Sequence, residues 1–164
     1  MKKIIKFSLY GLIYLVVIFV LAIMFIVTAK ADLTKPNDGI EPYQVVNIQL
    51  TGLKNNDIPN KNNGIEQTWE FAHPLNKKYT GPLPRFINLL NSASYKMLLN
   101  HIENEIIEVF NSNNRHGFEV TILAKDKNYY KFQWVVEKYY EEGPLKDCWL
   151  TALVSSPVSL GSSI

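Results

Sequence analysis

The sequence predicts an α+β protein: a charge-free N-terminal run, then short helices, then antiparallel strands. Three observations carry this. Residues 7–29 hold no charged side chain. Between Pro42 and Leu99, stretches punctuated by proline and glycine repeat their apolar residues at helical spacings of three and four. From Phe118 onward the apolar positions alternate with polar ones, the period of a half-buried strand. Helices followed by a run of strands is the α+β order.

Composition narrows the function classes. Of 164 residues, the first thirty or so are unlike the rest, leaving roughly 130 for one domain with one core. Seventeen basic and fifteen acidic residues give a net charge of +2, a balanced surface with no nucleic-acid footprint. Cys148 is the sole cysteine, which excludes an intrachain disulfide and a cysteine-based zinc cluster.

The N-terminal segment opens with Lys2, Lys3 and Lys6, and Phe7 to Ala29 follows without a charge. As a helix those residues span roughly 34 Å, enough for a hydrocarbon core of about 30 Å. Residues 1–31 are therefore expected to be a transmembrane anchor, with partner contact to the membrane through residues 7–29. Ala29-Lys30-Ala31 also fits a signal-peptide cleavage site, so secretion after cleavage near Ala31 is the alternative. The lysine bias keeps the N-terminus cytoplasmic and exports the C-terminal domain.

Residues 32–41 read as a linker, with Pro36, Gly39 and no periodicity. Pro42 to Lys54 is a helix: Pro42 suits the first turn, and Val45, Val46, Ile48, Gln49 and Leu53 follow its period. Asn55 to Gly64 is a polar, mobile loop that lacks the calcium-loop pattern. Ile65 to His73 is a second helix, with Ile65, Trp69 and Ala72 on one face, ended by Pro74. Leu75 to Lys78 reads as a turn. Thr80 is placed to cap a third helix over Pro82 to Asn91, and Tyr95 to Leu99 is a last helical turn. Strands follow at Glu105–Val109, Phe118–Ala124, Tyr129–Tyr140 and Cys148–Val154, with Asn111 to Gly117 and Lys125 to Asn128 as connections. Phe118, Val120, Ile122 and Ala124 should face the core, as should Tyr130, Phe132, Trp134, Val136 and Lys138 of the next strand. Residues 155–164 read as a frayed, flexible tail.

The run G-I-x-x-x-W-x-F-A-H-P-x-N-x-x-x-T-G-P-L-x-R-F from Gly64 to Phe86, followed by Y-x-x-L-L-N-H from Tyr95 to His101, resembles the signature of an uncharacterised bacterial domain-of-unknown-function family, number 4864. The likeness runs from about Val45 to Trp149. It implies a cone of the nuclear transport factor 2-like or SnoaL-like kind over residues 42–154, with helices packed on a curved antiparallel sheet, in a family whose members are often small bacterial proteins behind a signal or anchor. With the lysine bias of the N-terminal segment, the expected location is the bacterial inner membrane with a periplasmic domain. A homodimer through the sheet face is implied by the habit of related cones. The resemblance implies no reaction.

Candidate chemistry is sparse. His73 and His101 could do acid–base work with Glu66, Glu70 or Glu103, while His116 falls in a turn. Their bland reading is helix capping and backbone bonding. No metal-ligand spacing such as H-E-x-x-H occurs, so no metal or cofactor is expected. Cys148 reads as core filler. Arg85 stands at a helix start with Thr80 and Gly81, an arrangement suited to an anion or to a surface salt bridge. Trp69 and Tyr95 belong to an aromatic set that is core, or lines the open mouth of a cone. The expected function is a non-enzymatic binding module for a small apolar or amphipathic ligand, or a protein partner, with ligand-binding residues His73, Arg85, His101, Trp69 and Tyr95. The alternative is a SnoaL-like enzyme using a pocket histidine for proton transfer.

Overall fold

The computed structural model describes residues 11–20 and 32–162, and the chain divides into two units, residues 1–31 and 32–164. In the first, residues 11–20 are helical, with Leu12, Leu15 and Phe19 among its exposed side chains. The expectation of a transmembrane helix is corrected here. Among the described residues no helix is long and apolar enough to cross a membrane. The rest of the expected span, residues 7–10 and 21–29, lies outside the described residues, as does the cleavage site at Ala29–Ala31.

The second unit is an α+β domain with a helical layer on one face of an antiparallel sheet. Helix α1 is Pro42–Lys54, with Val45, Val46, Gln49, Leu50 and Leu53 buried along one stripe. A capping box starts it: Gln44 Oε1 accepts the Glu41 N–H at 2.9 Å, satisfying a donor that helix geometry leaves orphaned. Helix α2, Asn63–Glu70, crosses α1 at two glycines. A Cβ on Gly64 would lie 2.0 Å from the Gly52 carbonyl oxygen, so only glycine lets the two backbones approach this closely.

The loop read as mobile and polar is in fact a capping device. Asn56 is buried, its Oδ1 accepts the Ile65 N–H at 3.1 Å and its backbone oxygen accepts the Gly64 N–H at 2.9 Å. Asp57 Oδ1 accepts from Asn62, which is held in the left-handed region at φ 64°.

Leu75 to Lys78, expected as a turn, lies within helix α3, Pro74–Thr80. Helix α4 is Leu83–Leu90, and Lys96–Leu98 forms a 3₁₀ turn. Thr80 does not cap α4. Its hydroxyl donates to the Asn76 carbonyl inside α3 at 2.9 Å, and the sharp exit is made by Gly81 at φ +84°.

The sheet comprises β1 (Glu103–Asn111), β2 (Arg115–Leu123), β3 (Asn128–Lys138), β4 (Trp149–Val154) and β5 (Val158–Ser162). Strands β1 to β4 neighbour in sequence order, all antiparallel. The expected core-facing residues Phe118, Val120, Ile122, Phe132, Trp134 and Val136 are each at most 1% exposed. Burying each large side chain contributes about 1.5–3 kcal/mol, so this face and the α1 stripe form the bulk of the core. Tyr130 and Lys138 are only half-buried.

The tail predicted as frayed is strand β5, paired with Asn128–Lys131 of β3 on the edge that β4 occupies farther along. Ser155 bridges the interruption, its N–H donating to the Gln133 carbonyl and its hydroxyl accepting the Gln133 N–H, both at 2.9 Å. The other edge of β4 is covered by residues 71–73: Thr151 N–H donates to Phe71 O at 2.8 Å and His73 N–H to Thr151 O at 2.9 Å.

Candidate functional site

Between the helical layer and the sheet lies a cavity of about 70 Å³. Its inner wall is Leu53, Phe86, Leu90, Leu98 and Trp134, all buried, and half-exposed Asn76, Thr80, Leu89, Tyr95 and Val154 form its rim. The chain turns sharply between α3 and α4 at Gly81, and both helices contribute lining residues, Asn76 and Thr80 from α3 and Phe86, Leu89 and Leu90 from α4.

Its floor carries one polar cluster. Gln49, on the core stripe of α1, is 1% exposed. Its Oε1 accepts from Trp134 Nε1 at 3.0 Å and from the Thr151 hydroxyl at 2.6 Å, and its Nε2 donates to the Thr68 carbonyl at 3.0 Å. Trp134 Nε1 lies 3.2 Å from Thr151 Oγ1 as well. A buried amide must be bonded or costs free energy; here it joins α1, α2, β3 and β4 at one point. Asn76 Nδ2 donates to the Thr151 carbonyl at 3.2 Å and so ties α3 to the same strand.

Of the five residues singled out from sequence, only Tyr95 lines this cavity. Trp69 packs on Phe86 with ring centroids 5.0 Å apart and is covered by Lys77, whose Nζ stands 5.4 Å from the ring. His73 is the N-cap of α3. Its Nδ1 accepts the Leu75 N–H at 3.1 Å, and its ring meets Tyr139 edge-on at 5.4 Å. Burial holds its pKa below the usual histidine value, against the opposing charges of Glu137 and Glu141. His101 is buried, with Nδ1 donating to the Leu98 carbonyl at 2.7 Å and Nε2 3.1 Å from Asn104 Oδ1. Neither histidine meets a partner among Glu66, Glu70 and Glu103; Glu70 instead pairs with Lys35 at 2.8 Å. Arg85 is exposed, its stem lying over Gly81, and makes no ion pair among the described residues.

No family model, curated protein or solved structure matches the chain.

His116 departs from its expected place in a turn. It lies in β2, half-buried, with Nδ1 2.5 Å from Glu108 Oε1 and its ring edge-on to Trp149 at 4.9 Å. The hydrogen bond from His116 holds the Glu108 carboxyl below the usual range. Cys148 is buried, and burial pushes its thiol pKa up, which suppresses the nucleophilic thiolate. Among the described residues no group of three His, Cys, Asp or Glu side chains could hold a metal ion.

The residues missed from sequence are Gln49, Thr151 and Asn76. One signal was visible: a glutamine standing on the apolar stripe of α1, where a polar side chain needs a buried partner.

Proposed function

We propose that the domain is a binding module whose cavity takes the apolar end of a small, uncharged or amphipathic ligand. One observation carries this reading: the described cavity wall is apolar apart from amides and hydroxyls, and bears no charged side chain. An ionised carboxylate or phosphate would lose its hydration there without a countercharge. The side chains of Gln49 and Thr151 are engaged with each other, with Trp134 and with the Thr68 carbonyl, so the apolar wall is the surface that the ligand meets. The volume is several times what one water needs yet well below that of sites enclosing whole drug-sized molecules, so a short alkyl or ring end enters past Leu89 and Tyr95 while the remainder stays at the rim. Proton-transfer chemistry fits less well, because His73 and His101 spend ring nitrogens on the backbone.

The test is titration of the full chain with 1-hexanol and with hexanoate, followed by tryptophan fluorescence and thermal shift. Hexanol is expected to quench or shift the Trp134 emission saturably, with hexanoate at least about tenfold weaker, a difference of about 1.4 kcal/mol. Leu89→Trp, at the half-exposed rim, should block both. Equal binding of the two probes, or binding that survives the rim substitution, defeats the reading.

A further inference from the structure

We propose a second binding site, separate from the cavity, in the solvent-open groove between α1 and α2: it takes an uncharged, hydroxyl-rich ligand, a saccharide. The groove has a volume of about 360 Å³, roomy enough for a sugar ring, and shares no lining residue with the cavity.

The argument begins in the sequence of α1. Asn47, Thr51 and Asn55 stand at i, i+4 and i+8, one stripe along the helix, and α1 carries a single charged residue, Lys54. Exposed helix faces of soluble proteins are ordinarily rich in Lys and Glu; this one is amide and hydroxyl instead. Facing it, α2 contributes Asn63 and Gln67, also at i and i+4. The close crossing at Gly52 and Gly64 brings the two stripes together and leaves a floor with no side chain at Gly52. None of the groove's residues is charged.

The amides are in two states. Gln67 is fixed, its Oε1 accepting the Thr34 N–H and its Nε2 donating to the Thr34 carbonyl, both at 2.9 Å, so it forms a rigid wall. Asn55 Nδ2 is held on the Thr51 carbonyl at 3.1 Å. Asn47 and Asn63 make no side-chain hydrogen bond among the described residues, and each presents a donor and an acceptor side by side. That pairing matches sugar hydroxyls, which also donate and accept. Ile48 and Ile58 add apolar surface for the C–H face of a ring. An anionic ligand has no countercharge here.

The test uses the full chain and ¹H–¹⁵N spectra of the asparagine side-chain amides, titrated separately with maltose, cellobiose, diacetylchitobiose and triglycine. At least one disaccharide is expected to shift the Asn47 and Asn63 resonances saturably, and Asn47→Ala and Asn63→Ala should each weaken binding about tenfold. Hexanol binding in the cavity should be unchanged by both variants. The proposal is overturned if no saccharide shifts these amides, if the shifts survive both substitutions, or if triglycine alone shifts them, which would mark a peptide groove.

Discussion

Replacing Gly64 by alanine places a methyl group where there is no room for one. The new Cβ would sit 2.0 Å from the Gly52 oxygen, 2.4 Å from its carbonyl carbon and 2.9 Å from Asn56 Cα, all backbone atoms. Reaching an ordinary contact of 3.4 Å requires α1 and α2 to part by over an ångström, which also strains the Gly64 N–H bond to Asn56 and the buried side chains of both helices. Overpacking of this kind costs about 1–3 kcal/mol, and backbone obstacles put it at the upper end. Alanine's better helix propensity returns about 1 kcal/mol, leaving a net loss of about 2 kcal/mol or more. For a domain of this size the melting temperature should fall by roughly 6–10 °C. Gly52→Ala is the internal control: its nearest neighbour is the Gly64 oxygen at 3.3 Å, so the propensity gain should leave stability within about 1 kcal/mol of the native chain. Thermal unfolding followed by circular dichroism distinguishes the two. A Gly64→Ala protein melting within about 2 °C of native, or a Gly52→Ala protein harmed as badly, would refute the glycine crossing as the reason for the sequence.

Asn56→Ala should cost about 1–3 kcal/mol, since it removes the acceptor for the Ile65 N–H from a site 3% exposed; urea midpoints should fall with an unchanged slope. Stability should also fall with acid through His73. Its folded pKa lies below the unfolded value near 6.5, so the unfolded chain binds more protons in that window, and the contribution present above about pH 6.5 is lost as pH falls toward the folded pKa. Protonating Nδ1 also removes the acceptor for Leu75. Urea unfolding between about pH 8 and 5 should show this slope in the native chain and a reduced one in His73→Asn, which keeps a capping oxygen; equal slopes would count against it.

Much of the sheet was legible because β2 and β3 alternate, and alternation directly reports which side chains face a core. Helix α1 was legible for the same kind of reason, since its buried stripe has the helical period. Helix α3 was not: it buries no residue, so there is no apolar pattern to read, and it is held by the His73 cap and the Asn76 bond to Thr151. His116 was misplaced because Ser112 closes the β1–β2 hairpin early, its hydroxyl accepting the Arg115 N–H at 3.1 Å. The cavity floor was out of reach, as Gln49 meets residues 85 and 102 positions away. The motif residues drew attention by their rarity, yet His73 and His101 serve the backbone.

The pairing of Phe71–His73 with β4 has a bearing on how the domain opens. Backbone bonds between the helical layer and Thr151 mean that α2 and α3 cannot lift from the sheet without breaking strand-like hydrogen bonds. That seam should make them unfold with β3 and β4 as one cooperative block, with the Thr151 and His73 amides exchanging at nearly the global rate. Among the described residues, helix α4 and the 3₁₀ turn make no backbone hydrogen bond to the sheet. Breathing of the fold is then confined to one flank of the cavity, the flank that carries Leu89 and Tyr95.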